Sequence, residues 1–296
     1  MSQIEYCSYE LTSRARLNSR RAEKSTRGCL VRVDGGVACL QTWPELGDPD
    51  LAQVLADFRG ERRLPISRQA WACCQLDREA RVAGAHVLDG LSVPESHFTL
   101  PFGETGVPDG FRAVKVKAGA DLEELRRVLS GLRPDLRIRL DFNESLNLDP
   151  FRAIWLGLEA FHSRIDFVED PVPYDPGQWR ELESELGCRL AVDRFEGEAP
   201  FLRVWKPARW DWAEAGEVVV TSNMDHPVGQ VFAAYCAAKL SLPARVAGCG
   251  LVTHHLFDPA NPFVACLGPT RPEFPRVPGT GLGFDELLET LPWRAG

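Results

Sequence analysis

The 296-residue chain has no Cys-x-x-Cys pair, no internal repeat, no low-complexity tract and no long linker. Its nine cysteines are odd in number and scattered, and Cys29 and Cys39 sit inside apolar strand-like runs. That pattern excludes a disulfide scaffold or a zinc knuckle and fits small buried hydrophobes in a reducing compartment. No run approaches the roughly 20 apolar residues of a membrane span, and Met1 to Lys24 is polar, without the apolar core of a signal peptide. Excess positive charge is also missing. A net charge of −8 argues against nucleic acid or an anionic membrane as partner. The expectation is a cytoplasmic protein acting on a small molecule, with monomer and homo-oligomer both left open.

The hydrophobic content of 44% and charged content of 26% are those of a globular protein with a sizeable core. Ile4 to Leu11, Gly28 to Val33 and Val37 to Thr42 read as strands, with Asp34-Gly35-Gly36 turning between the last two. Between the first two, Thr12 to Arg27 carries five arginines and one lysine and reads as a mobile surface loop of lid length. From Asp48 to Leu91 apolar residues recur at helical spacing, with Ala70 to Ala83 as a second helix. Residues 1–95 thus form a small α+β domain, and 96–269 a second domain in which strands and helices alternate.

In that second part Asp121 caps a helix from Leu122 to Leu132, with Glu124 in the capping-box position. Further helices are expected at Asp149 to Ala160, Pro176 to Leu186 and Val228 to Leu240, and strands at Gly216 to Thr221 and Arg245 to Ala247. Alternation of this kind means a parallel sheet. Parity selects its form: Lys115 and Lys117 share one face of their strand, Val114 and Val116 the other, and Arg137, Arg139 and Asp141 again share a face. An open sheet covered by helices on both faces cannot hold so many charges, whereas a closed barrel can converge them on its mouth.

Five strand tips carry the chemistry: Lys117, Asp141, Glu169, Asp193 and Lys206. The three acids are 28 (169 − 141) and 24 (193 − 169) residues apart, close to one βα unit each. Carboxylates converging from adjacent strands make a hard oxygen site suited to Mg²⁺, with open positions for substrate oxygens. Lysines on either side fit proton abstraction next to a carboxylate, with the cation stabilising the enediolate. Any one of these residues alone has a plain structural explanation, but the ordered set does not.

The segments Val114-Lys115-Val116-Lys117, Leu140-Asp141-Phe142-Asn143, Phe167-Val168-Glu169-Asp170-Pro171, Val192-Asp193, Lys206-Pro207 and Thr221-Ser222-Asn223-Met224-Asp225 resemble the enolase superfamily, and within it the o-succinylbenzoate synthases. Pro278-Gly279-Thr280-Gly281-Leu282-Gly283 is similar to the superfamily's glycine-rich return to its capping domain. The resemblance implies an α/β fold: a modified (β/α)₇β TIM-type barrel over 96–269 with an N-terminal α+β capping domain, completed by about 270–296. It implies a lyase of menaquinone biosynthesis that dehydrates 2-succinyl-6-hydroxy-2,4-cyclohexadiene-1-carboxylate to 2-succinylbenzoate. Lys117 would be base and then acid, and Lys206 the opposing cation. Asp141, Glu169 and Asp193 would hold Mg²⁺, or Mn²⁺ in its stead. Lys115, Arg139, Asn143, Thr221, Ser222 and Gly250 would contact a carboxylate substrate, and the Arg-rich loop takes the place of the family's lid.

Racemases of N-acylamino acids and dipeptide epimerases share these groups, but they show an Asp-x-Asp near the last barrel strand, and Gly248 to Leu256 has none. A catalytically idle ligand-binding barrel is the alternative from another class; the complete set of chemical groups opposes it. Spacing departs from the family after Asp193: 13 residues (206 − 193) to Lys206 and 15 (221 − 206) to Thr221 leave no room for full helices. The outer helices are therefore expected to be reduced between about 194 and 220, with Trp205, Trp210 and Trp212 covering the bare wall or marking an interface. His254-His255 reads as packing or capping, Gly248-Cys249-Gly250 as close backbone approach, and Cys73-Cys74 as helix core.

Overall fold

The computed structural model describes residues 3–17, 24–193, 199–211, 216–241 and 246–296. It begins with three antiparallel strands, β1 (Ile4–Thr12), β2 (Ser25–Val33) and β3 (Gly36–Gln41). Asp34 and Gly35 take left-handed φ values of 48° and 92°, which close the β2–β3 turn in the hand that matches strand twist. Strand pairing runs further into the Arg-rich stretch than composition suggests: Thr12 pairs with Ser25 and Leu11 with Thr26, both of the latter buried. Alternation explains this, because Arg27 points outward while Thr26 points in. The loop is thus shorter than expected. Its base is tied to the other end of the chain, where Arg14 N donates to Leu256 O at 2.8 Å, and 18–23 lie outside the described residues.

Helices α1 (Leu51–Arg59) and α2 (Pro65–Val82) pack on this sheet. A reciprocal capping box between Asp50 and Gln53 starts α1, and Pro65 at the first turn starts α2 five residues before the expected Ala70. The Cys73-Cys74 pair is buried in the core, as expected.

The second sheet holds eight parallel strands: β4 (Phe98–Thr99), β5 (Ala113–Lys117), β6 (Arg137–Asp141), β7 (Ile165–Glu169), β8 (Leu190–Val192), β9 (Leu202–Trp205), β10 (Val218–Thr221) and β11 (Val246–Gly250). It closes into a barrel where Ser96 bridges Cys249 and His97 N donates to Cys249 O at 2.7 Å. Ser96 Oγ secures the seam by accepting from the backbone N–H groups of Leu251 and Val252. The outer wall is built from α3 (Leu122–Ser130), α4 (Leu148–Gly157), α5 (Pro176–Leu186) and α6 (Pro227–Ser241). Asp121 accepts from Glu124 N at 3.0 Å, so the cap on α3 forms; the Glu124 side chain, however, turns to Arg127 and makes no reciprocal bond. Arg245, offered as the start of a strand, lies outside the described residues.

Among the described residues no helix lies between β8 and β10, in line with the short spacings; 194–198 and 212–215 lie outside them. The β4–β5 connection also lacks a helix, which spacing did not suggest. What covers the thin wall is the first part of the chain. Trp205 is buried and its Nε1 donates to Trp210 O at 3.0 Å, and both tryptophans belong to the core shared with α2 and α6. Arg68 and Gln69 of α2 both bond Asp211. Trp212 lies outside the described residues.

Parity holds on β5 and β6, where Val114, Val116, Ile138 and Leu140 pack against α3 and α4. On later strands the inner face is charged only at the tip. Phe167, Ala191, Leu202, Val204 and Val219 form an apolar plug inside the barrel, directly below Glu169, Asp193, Lys206 and Thr221. Two short helices, α7 (Pro262–Cys266) and α8 (Asp285–Glu289), lead to β12 (Arg294–Ala295), which pairs with β1 and returns the C-terminus to the first sheet.

Candidate active site

A pocket lies at the barrel mouth, and most of the residues singled out from sequence line it: Lys115, Lys117, Asp141, Asn143, Asp193, Lys206, Thr221, Ser222 and Gly250. Glu169 and Arg139 do not line it. Glu169 is engaged by Lys115, whose Nζ stands 2.7 Å from Oε1 and 2.8 Å from Oε2. Arg139 sits one inward step below Asp141 and crosses the barrel toward β11 and the seam. There its Nη1 lies 2.7 Å from His97 Nδ1, and its Nε donates to Asp166 Oδ2 at 3.2 Å.

The strand tips work as the parallel register dictates, since Lys117 pairs with Asp141 and Asp141 with Glu169 across neighbouring strands. Lys117 Nζ is 2.5 Å from Asp141 Oδ2, Lys115 Nζ is 2.7 Å from the same atom, and Lys206 Nζ is paired with Asp193 Oδ2. All of these groups are buried. Burial disfavours charge on Lys115, but Asp141, Glu169 and Asp193 outweigh it and raise its pKa. Burial would likewise raise the Asp141 pKa, yet Lys115 and Lys117 hold it well below the usual carboxylate range. Glu169 is pushed up by burial and by Asp141, and Lys206 is lowered by burial against the pull of Asp193 and Glu169.

One residue that the sequence reading passed over joins the acids. Asp170 follows Glu169 with a left-handed φ of 43°, which turns its carboxylate back so that Oδ1 accepts from Asp193 N at 3.1 Å. Ligand atoms of Glu169, Asp170 and Asp193 all lie within 4.8 Å of one another. Asp141 Oδ2 is instead bracketed by the two lysines. This donor set is entirely carboxylate oxygen, buried and crowded, and it fits a hard divalent cation. The only sequence signal for Asp170 was its place in the Glu-Asp-Pro run.

The first part of the chain supplies the roof. Trp43 and Leu46 line the pocket, and Trp43 Nε1 donates to Asn223 O at 3.0 Å, while Gln41 Nε2 donates to Met224 O at 3.0 Å. Arg209, from the compressed turn after Lys206, also lines the pocket and forms a buried ion pair with Asp48. Ser222 and Thr253 share a hydroxyl contact of 2.8 Å. His254 is buried and His255 stacks on Phe98 with ring centroids 4.3 Å apart, so packing accounts for that pair.

A closed parallel barrel with lysines and acids on successive tips, roofed by a small antiparallel sheet, defines an enzyme of the enolase superfamily. Comparison with known proteins agrees. Residues 104–198 match the family described as enolase C-terminal domain-like, and residues 4–80 the one described as O-succinylbenzoate synthase, N-terminal domain. Over 99% of its length the chain is 32% identical to an o-succinylbenzoate synthase of Bdellovibrio bacteriovorus, 98% of which is covered. The chain belongs to the o-succinylbenzoate synthase family.

Solved structures with the same fold include a dipeptide epimerase from Enterococcus faecalis in complex with Mg and L-Leu-L-Tyr. Its TM-score is 0.76 at 15% identity, with 96% of this chain and 99% of that one covered. A muconate lactonizing enzyme from Pseudomonas fluorescens, complexed with muconolactone, gives 0.74 at 14% identity over 95% of both chains. No helix among the described residues is long and apolar enough to cross a membrane.

Proposed function

We propose that the chain is a Mg²⁺-dependent o-succinylbenzoate synthase of menaquinone biosynthesis, acting in the cytoplasm on 2-succinyl-6-hydroxy-2,4-cyclohexadiene-1-carboxylate. In this reading residues 1–95 with about 270–296 form the capping domain, and 96–269 the catalytic barrel. The observation that carries the reaction is the facing of Lys117 and Lys206, on β5 and just after β9, across one buried group of carboxylates.

Asp141, Glu169 and Asp193 would hold the cation, with Asp170 orienting Asp193 by accepting from the Asp193 backbone N–H. When bound, the cation supplies Lewis-acid stabilisation of the negative charge that collects on the substrate carboxylate. Lys115 already touches two of these acids and is the ammonium nearest that carboxylate. Lys117 Nζ, as the free amine, takes the proton from the ring carbon that bears the carboxylate. The electron pair left behind spreads onto the carboxylate oxygens, where Lys206 balances the charge from the other side. As the pair returns, the ring C–O bond breaks and the departing hydroxide takes the proton back from Lys117 as water, leaving an aromatic ring. One lysine serving both steps requires proton and hydroxyl to leave from the same face. Asn143, Ser222, Thr221, Gly250 and Arg139 shape the rest of the pocket, Arg139 from below.

Incubation of the purified protein with Mg²⁺ and the cyclohexadiene substrate should give 2-succinylbenzoate, followed by loss of diene absorbance. Lys117→Ala and Lys206→Ala should each abolish turnover with the fold retained. A folded wild-type protein that leaves the diene untouched, or substantial activity in Lys117→Ala, overturns the reading.

A further inference from the structure

We propose that His97 is a substrate-orienting residue, whose Nε2–H, in the pocket that Thr221 also lines, donates to an oxygen of the acyl side chain that the substrate carries away from its ring carboxylate. The inference rests on the dehydration reading above. It concerns a residue just before β4, two strands from β6 and four from β8, where the barrel closes against β11.

The proton on His97 is fixed by its neighbour. Arg139 Nη1 lies 2.7 Å from His97 Nδ1, and a guanidinium has only donors, so Nδ1 must accept. The neutral ring then carries its hydrogen on Nε2. Burial, with Arg139 and Lys115 close by, holds the ring pKa well below the ordinary histidine value, so the ring stays neutral. His97 is therefore a fixed N–H donor in the pocket that it lines.

Its direction is set by a glycine. A Cβ on Gly250 would stand 2.5 Å from His97 Nε2 and 2.9 Å from Thr221 Cγ2. Gly250 has no left-handed φ, so the backbone does not demand glycine there; space does. Thr221 Oγ1 is buried and has no hydrogen-bond partner among the described residues. A buried hydroxyl without a partner is costly, and its presence in the same pocket as a fixed N–H and a glycine gap points to an acceptor that arrives with the ligand. With the ring carboxylate turned toward the acids, that acceptor is a carbonyl or carboxylate oxygen of the side chain.

The test uses the Mg²⁺-loaded protein and two ligands in calorimetry, 2-succinylbenzoate and benzoate, which lacks the side chain. Wild type should favour 2-succinylbenzoate. His97→Leu should weaken it about tenfold or more and leave benzoate within about twofold, while His97→Gln, which keeps an N–H, should recover most of the loss. Thr221→Val, of equal size, should weaken 2-succinylbenzoate alone and serves if His97→Leu does not fold. In turnover the loss should fall on KM more than on kcat. Unchanged 2-succinylbenzoate affinity in His97→Leu, or in Thr221→Val if His97→Leu does not fold, overturns the inference, as does an equal loss for both ligands. A folded wild type that neither binds 2-succinylbenzoate nor turns over the diene overturns the dehydration reading as well.

Discussion

Lys115 and Glu169 are joined by a buried two-pronged contact, Nζ to Oε1 at 2.7 Å and to Oε2 at 2.8 Å, between side chains 54 positions apart in the chain. The same ammonium lies 2.7 Å from Asp141 Oδ2, so it stands as the counter-charge of two acids at once. Lys115→Met would leave those acids facing each other without it. Breaking a buried pair in this way costs about 3–5 kcal/mol. Denaturant unfolding in chelator should show a loss of that size, and Mg²⁺ should recover more stability in the variant than in wild type, because it can neutralise the same acids. Equal effects of Mg²⁺ on both proteins would contradict the shared role.

Much of this site could be read from the chain because the period of a strand is two and that of a βα unit is about 25 to 30 residues. Those two periods set Lys117, Asp141, Glu169 and Asp193 on one face at successive tips; the register pairs the first three, and Asp193 follows directly after β8. What could not be read came from longer range or from single residues. The apolar plug under the mouth depends on which inner positions lie deep in the barrel. Strand β4 has only two residues, too few for a pattern, so no periodicity singled out His97 beside it. Asp170 depends on a positive φ that no periodicity reports. Arg209 gained its place from the short turn after Lys206, where a reduced helix and a tryptophan cover were foreseen but the ion pair with Asp48 was not.

In the proposed reading Asp141, Glu169 and Asp193 are ligands and Asp170 a support. Asp170 Oδ1 is engaged with Asp193 N, whereas Asp141 and Glu169 share the Lys115 ammonium. In Mg²⁺ titrations by calorimetry, Asp141→Asn and Asp193→Asn should therefore weaken binding by about a hundredfold. Asp170→Asn, which acts through position alone, should cost about tenfold, the scale of a lost supporting contact around a metal. A larger loss for Asp170→Asn than for Asp141→Asn would reverse the assignment.

Asp77 ties three segments that are distant in sequence. Its carboxylate accepts from Val37 N at 2.7 Å, Leu282 N at 2.5 Å and Arg81 Nε at 2.7 Å, and Arg81 in turn holds Asp285. Asp77→Ala would strand two buried N–H groups and a guanidinium, and should lower stability by about 3–5 kcal/mol. A loss under about 1 kcal/mol in urea unfolding would show that water replaces the carboxylate without difficulty.

Asp225 carries the opposite electrostatic problem, a buried carboxyl for which no ion pair is found among the described residues. Burial pushes its pKa up from 3.8 to about 7. The unfolded chain releases this proton near pH 3.8 and the folded chain near 7, so between those values the folded state binds more protons and stability falls as pH rises. The stabilising share is complete below the unfolded pKa and gone above the folded one. Over that window the group accounts for about 4 kcal/mol. Asp225→Asn, which cannot ionise, should therefore gain on wild type as pH rises from 4.5 to 8, by a few kcal/mol measured in urea. A difference between the two proteins that stays constant across that range would mean that Asp225 is ionised throughout in the folded state.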